Sequence, residues 1–194
     1  MKIKKTTIIA EAGVNHNGEI NLAKKLINIA ANSGADYVKF QSFNAENLVS
    51  KNAALANYQK KNSFNLSHFN MLKKLQLSNE DHEILIDHCK TKNIKFLSTG
   101  FDIQSIDMLI NYGIDYIKIP SGEITNYPLL QHVGKKKLPV LMSTGMSTLS
   151  EINDAMNILT KNGLKKSNIT ILHCCTSYPA KYDELNLNAI KTIK

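Results

Sequence analysis

The chain has 194 residues, 43% of them hydrophobic and 21% charged, which is enough apolar material for one packed domain and excludes global disorder. Its formal charge is +8, yet all 24 basic residues are lysine. Without the bidentate guanidinium fork a nucleic-acid partner is not expected, and most of the lysines read as solvated helix faces.

Residues 7–10 form a short apolar run that predicts a buried strand. A helix is predicted over 21–33, with Leu22, Leu26, Ile29 and Ala30 at helical spacing and Gly34 closing it. The second strand is predicted at 37–41. Residues 42–67 then read as one long polar loop, of a length that is usually functional or mobile. Ser78 and Asp81 open the next helix, which turns Ile84 and Leu85 inward and runs to about 92. Strand three is predicted at 94–98, a helix at 103–112, strand four at 116–119 and a helix at 126–133. Strand five follows at 139–142. Thr148 and Glu151 make a capping box for a helix carrying Ile152, Ala155, Met156 and Leu159, closed by Gly163. Strand six spans 169–172, and a further helix begins near the last residue.

Asn-Ser-Gly-Ala-Asp-Tyr-Val-Lys-Phe at 32–40 is echoed by Asn-Tyr-Gly-Ile-Asp-Tyr-Ile-Lys-Ile at 111–119. The period of 79 residues is two βα units, which favours a barrel over a doubly wound sheet, the open alternative. Such a barrel does its chemistry at the C-terminal ends of its strands. Those ends carry Glu11, Lys39 and Gln41, Thr99, Lys118 with Ser121 and Glu123, Ser143, and the stretch from His173 to Tyr178.

Lys39 and Lys118 each lie between apolar neighbours at the same height on equivalent strands. Together, with hydroxyls from Thr99, Ser121 and Ser143, they make a candidate cradle for phosphate or carboxylate. Edge-strand solubility and a Schiff-base role are the rival readings of either lysine. Glu11 is fit to hold substrate hydroxyls or to pair with a lysine. Glu123 is placed for proton handling, with helix capping as the alternative. His16 and His173 read equally as ligands or as hydrogen-bonded structural groups. His68, His82, His88 and His132 read as surface or packing residues. Cys89, Cys174 and Cys175 form no disulfide framework, and no apolar run has membrane-span length, so a soluble cytoplasmic protein is expected.

Ala10-Glu11-Ala12-Gly13-Val14-Asn15-His16-Asn17-Gly18 resembles the opening motif of the sialic acid synthase family. Val38 to Phe43, Leu97-Ser98-Thr99, Ile117 to Glu123, Ser143 to Met146, Leu172-His173-Cys174 and Tyr178-Pro179 resemble its later motifs in the same order. The family includes N-acetylneuraminate, legionaminic acid and pseudaminic acid synthases. The resemblance implies a (β/α)8 TIM barrel in which phosphoenolpyruvate condenses with N-acetylmannosamine or a related N-acetylated sugar and releases phosphate.

It assigns Lys39, Thr99, Lys118, Ser121 and Ser143 to phosphoenolpyruvate. Glu11 and Tyr178 are assigned to the sugar, and Gln41 and Glu123 to the reacting centre. A manganese or magnesium ion is implied, with its histidine ligands expected beyond residue 194. A homodimer is implied for the full-length protein. Thr176 falls where some members place an asparagine phosphate contact. Gly100 replaces the usual proline, an exchange expected to loosen that turn.

The chain is expected to be a barrel truncated after about six βα units, without the C-terminal antifreeze-like domain of the family and weakly active or inactive alone. Two other readings compete. One is a phosphoenolpyruvate aldol-type synthase acting on phosphorylated aldehydes, which would want arginine clusters. The other is a non-catalytic binding fragment.

Overall fold

A computed structural model describes residues 6–51, 53 and 67–194. Its strands are β1 (Ile9–Gly13), β2 (Tyr37–Ser42), β3 (Lys95–Gly100), β4 (Ile117–Ile119), β5 (Val140–Ser143) and β6 (Ile169–Leu172). The helices are α1 (Ile20–Asn32), α2 (Ala45–Leu48), α3 (His68–Leu75), α4 (Asn79–Thr91), α5 (Ile103–Asn111), α6 (Tyr127–Lys136), α7 (Leu149–Lys161) and α8 (Ala189–Ile193). The strands pair in chain order, β1 to β6, and β1 with β2, β3 with β4, β4 with β5 and β5 with β6 run parallel. A doubly wound sheet reverses its strand order at a switch point. An unbroken order has none, so that alternative is set aside.

The chain divides into two compact units, residues 1–98 and 99–194. In the first, a core of Ala23, Ile27, Val38, Phe40, Leu85 and Cys89 lies between α1, α4 and the outer face of β2. The buried stripe of α1 is Ala23, Ile27 and Ala30, one step round from the predicted one, and Ile29 is 62% exposed. Leu85 is buried as expected but Ile84 is exposed, because α4 rests on the sheet by His82, Leu85 and Cys89. The stretch read as one loop contains α2, capped by Asn44, and ends at Ser67, whose side chain caps α3. Residues 52 and 54–66 of that prediction lie outside the described residues.

In the second unit Ile117, Ile119, Val140 and Met142 form one fully buried strand face, met by Leu129, Leu130 and Val133 of α6 and by Ile152, Ala155 and Leu159 of α7.

Four helices end alike. Residues Gly34, Asn93, Gly113 and Gly163 have positive φ, and the next residue's N–H returns to a carbonyl five residues back. The bonds are Ala35 to Ala30, Ile94 to Cys89, Ile114 to Leu109 and Leu164 to Leu159. This is the Schellman stop, and it aims the chain into the following strand. The 79-residue echo is therefore a repeated stop-and-strand piece. The predicted capping box of Thr148 with Glu151 is present on α7, and Ser78 with Asp81, predicted to open α4, forms a second.

Candidate active site

In a parallel ladder, register partners share a face of the sheet. Glu11 is opposite Lys39 in the first unit. Gln41 lies two residues on from Lys39 and so shares that face, while Val38, Phe40 and Ser42 turn to the helices and are buried. A bulge between Glu11 and Gly13, with Gly13 at φ +54, turns the end of β1. There the Glu11 carboxylate pairs with the Lys39 ammonium. Lys39 is the more enclosed partner, its side chain 12% exposed, and Glu11 the open one at 51%. A Cβ on Gly13 would stand 3.2 Å from Glu11 Oε1 and 3.7 Å from Gln41 Nε2, so these side chains gather over the bulge.

Behind this face lies a polar network that the sequence did not announce. His82 Nδ1 donates to the Ser78 carbonyl at 2.7 Å. In the neutral ring Nε2 is then the acceptor, taking the Ser42 hydroxyl at 2.7 Å, and Ser42 Oγ accepts from Ser98 at 2.7 Å. Burial lowers the His82 pKa and keeps the ring neutral. The one legible signal was a pair of hydroxyls on strand positions that otherwise alternate with polar inward residues. His16 is also fully buried, and burial lowers its pKa. Its Nδ1 accepts the Gly18 N–H at 3.0 Å, closing the turn after β1. Its Nε2 has no hydrogen-bond partner among the described residues.

In the second unit Thr99 is opposite Lys118, and Lys118 is opposite Leu141. Ser143, two residues beyond Leu141, joins the same face. Thr99, Lys118 and Ser143 are all buried, and Lys118 Nζ donates to the Ile119 carbonyl at 3.0 Å. A buried ammonium on a hydroxyl-lined face is suited to an anion, since an ammonium taken from water needs compensating oxygen atoms. Ser121 Oγ accepts the Gly145 N–H at 3.0 Å and so ties the turn after β4 to the turn after β5. Glu123 ends the 3-10 turn Ser121–Glu123. It accepts from Asn126 Nδ2 at 2.7 Å, and Asn126 in turn caps α6 through Leu129 N. Its visible role is thus to orient a cap.

His173 Nε2 donates to the Leu185 carbonyl at 2.8 Å, a structural bond. Thr176 is half-buried, with its methyl group beside Gly145. Tyr178 is exposed on the segment after β6. Gly100 is not a loose point, because a Cβ there would meet Ile106 Cγ1 at 2.7 Å and Ile106 N at 3.1 Å. Among the described residues no three His, Cys, Asp or Glu side chains gather to hold a metal ion. Among the same residues, no helix is long and apolar enough to cross a membrane.

A NeuB family model matches residues 26–194. The chain belongs to the NeuB family. It is 55% identical over 193 residues to the N,N'-diacetyllegionaminic acid synthase of Campylobacter jejuni, covering 99% of this chain and 58% of that protein. The corresponding Legionella pneumophila synthase is 50% identical over 190 residues, covering 96% of this chain and 53% of that one. Among solved structures, the N-acetylneuraminic acid synthetase of Leptospira borgpetersenii in complex with citrate superposes with a TM-score of 0.81 at 34% identity, over 97% of this chain and 61% of that chain. This NeuB chain therefore spans little more than half the length of the curated relatives it matches.

Proposed function

We propose that this NeuB chain carries the phosphoenolpyruvate-binding part of a nonulosonate synthase whose product is N,N'-diacetyllegionaminic acid or a near relative. One observation carries the reading: Lys118 is buried on a strand face beside Thr99 and Ser143, at the strand ends where an α/β barrel works. Membership of the NeuB family supports phosphoenolpyruvate as the anion. The two legionaminic acid synthases, at 55% and 50% identity, favour their acceptor over that of the sialic acid synthetase at 34%.

In this reading C3 of the enol attacks the aldehyde carbon of the N-acetylated sugar. Water adds at C2, and the C2–O bond to phosphate breaks. Lys39, Lys118, Thr99, Ser121 and Ser143 hold the phosphoenolpyruvate charge, with Thr176 beside the Ser121–Gly145 turn. Glu11 and Tyr178 contact sugar hydroxyls, and Gln41 and Glu123 line the reacting centre. A closed eight-stranded barrel, a homodimer and a cytoplasmic setting belong to the same reading. A manganese or magnesium ion, which would polarise the aldehyde, belongs to the same reading, and among the described residues no three His, Cys, Asp or Glu side chains gather to hold it.

The test is phosphate release from phosphoenolpyruvate, with manganese, by the protein made from its gene. A di-N-acetylated hexose acceptor is expected to outperform N-acetylmannosamine. Lys118→Met is expected to lower the rate by about 100-fold or more, the scale of a lost charge-stabilising group. No release with any N-acetylated aldose overturns the synthase reading. Preference for N-acetylmannosamine overturns the acceptor assignment alone.

A further inference from the structure

Glu11 and Lys39 are assigned to different substrates, yet in the structure they hold each other. We infer that the Glu11 carboxylate is a built-in stand-in for the substrate anion on Lys39, so that the arrival of one substrate releases the residue that receives the other. The inference rests on the synthase reading above.

Three features carry it. The pair joins register partners on adjacent strands, so it forms without rearranging the sheet. The exposed partner is the carboxylate, so it is the one free to swing into solvent while Lys39 stays in place. The bulge at Gly13 leaves room for that carboxylate, which any side chain there would crowd at 3.2 Å. An incoming phosphate or carboxylate therefore displaces Glu11 from Lys39. The freed carboxylate, its acceptor capacity restored, then turns to sugar hydroxyls.

Such an exchange is a coupling between two sites and must be reciprocal. A half-exposed ion pair is worth up to about 1 kcal/mol, so the coupling factor is about three- to five-fold. Titration calorimetry on the whole chain measures it with phosphoenolpyruvate, with the N-acetylated acceptor, and with each in the presence of the other.

The wild type should bind the acceptor about three- to five-fold more tightly when phosphoenolpyruvate is present. Glu11→Gln should bind phosphoenolpyruvate about three- to five-fold more tightly than the wild type and lose the coupling. Glu11→Asp keeps the charge but falls a methylene short of Lys39, so it should tighten phosphoenolpyruvate as Gln does. A tightening seen with Gln but not with Asp makes Glu11 a general repulsive charge and overturns the inference. So does an unchanged phosphoenolpyruvate affinity in Glu11→Gln, or coupling that survives it. If neither wild type nor variants bind phosphoenolpyruvate, the synthase reading fails and the inference falls with it. Thermal unfolding of each variant by circular dichroism checks that the comparison is between folded proteins.

Discussion

Gly145 and Gly100 show how closely single positions are fitted at the strand ends. A Cβ on Gly145 would stand 2.6 Å from Thr176 Cγ2 and 3.0 Å from Ser121 Oγ. Threonine is stiff at χ1, so it cannot retreat without moving its backbone. Gly145→Ala is expected to cost about 1–3 kcal/mol by overpacking and to weaken the proposed phosphoenolpyruvate binding, read by urea unfolding and calorimetry. Installing the family's usual proline as Gly100→Pro meets the Ile106 backbone and should destabilise by a similar amount, about 1–3 kcal/mol, in the same unfolding assay. The sequence placed Lys39, Lys118, Thr99 and Ser143 on one kind of strand position, because period-two alternation reveals a face. Pairing with a lysine was one of two readings of Glu11, but the sequence did not single out Lys39, since a bulge alters side-chain direction without leaving a pattern of its own.

At the level of elements, helix boundaries were the most legible part of the chain. Caps are chemistry written in a few residues: Ser78 with Asp81, Thr148 with Glu151, and the glycines of the Schellman stops. Thr148→Ala should cost about 1 kcal/mol of stability, measured by chemical unfolding. Hydrogen bonds from the Thr148 backbone and hydroxyl lower the Glu151 pKa. A carboxylate depressed in the folded state stabilises above its unfolded pKa, so the capping benefit fades as pH falls through the folded value. Helix α3 escaped the reading because its His-Phe-Asn-Met-Leu-Lys-Lys-Leu stretch is short and has no buried residue, leaving a propensity signal without a face. The buried stripe of α1 was misplaced by one step because alanine is a weak marker of burial, and Ala23 is buried where Leu22 was expected.

For the molecule as a whole, two buried histidines set a pH limit. His16 and His82 both have pKa values held below the ordinary 6.5, in each case chiefly by burial. The unfolded chain then binds more protons than the folded one, so their contribution is complete above about pH 6.5 and is lost as pH falls toward the folded values. Stability measured by urea titration should decline on acidification below about 6.5, and His82→Asn should flatten part of that slope while lowering stability at neutral pH. Neither histidine was legible as buried, because both stand among polar neighbours and are covered only when distant segments meet. The charge gives a second expectation. Twenty-four lysines without arginine should give weak, sequence-independent retention of DNA that vanishes by about 0.15 M salt in a filter-binding assay.

The bond from the Gly145 N–H to Ser121 has a practical consequence for anyone altering this protein. Two loops that share a latch inherit each other's errors. The Pro120 to Ile124 turn and the Ser143 to Met146 turn should be exchanged between relatives as one cassette, since a chimaera carrying only one of them leaves a donor or an acceptor stranded. Tyr178 itself is exposed, and it is the position to vary alone when the proposed acceptor contact is to be tested.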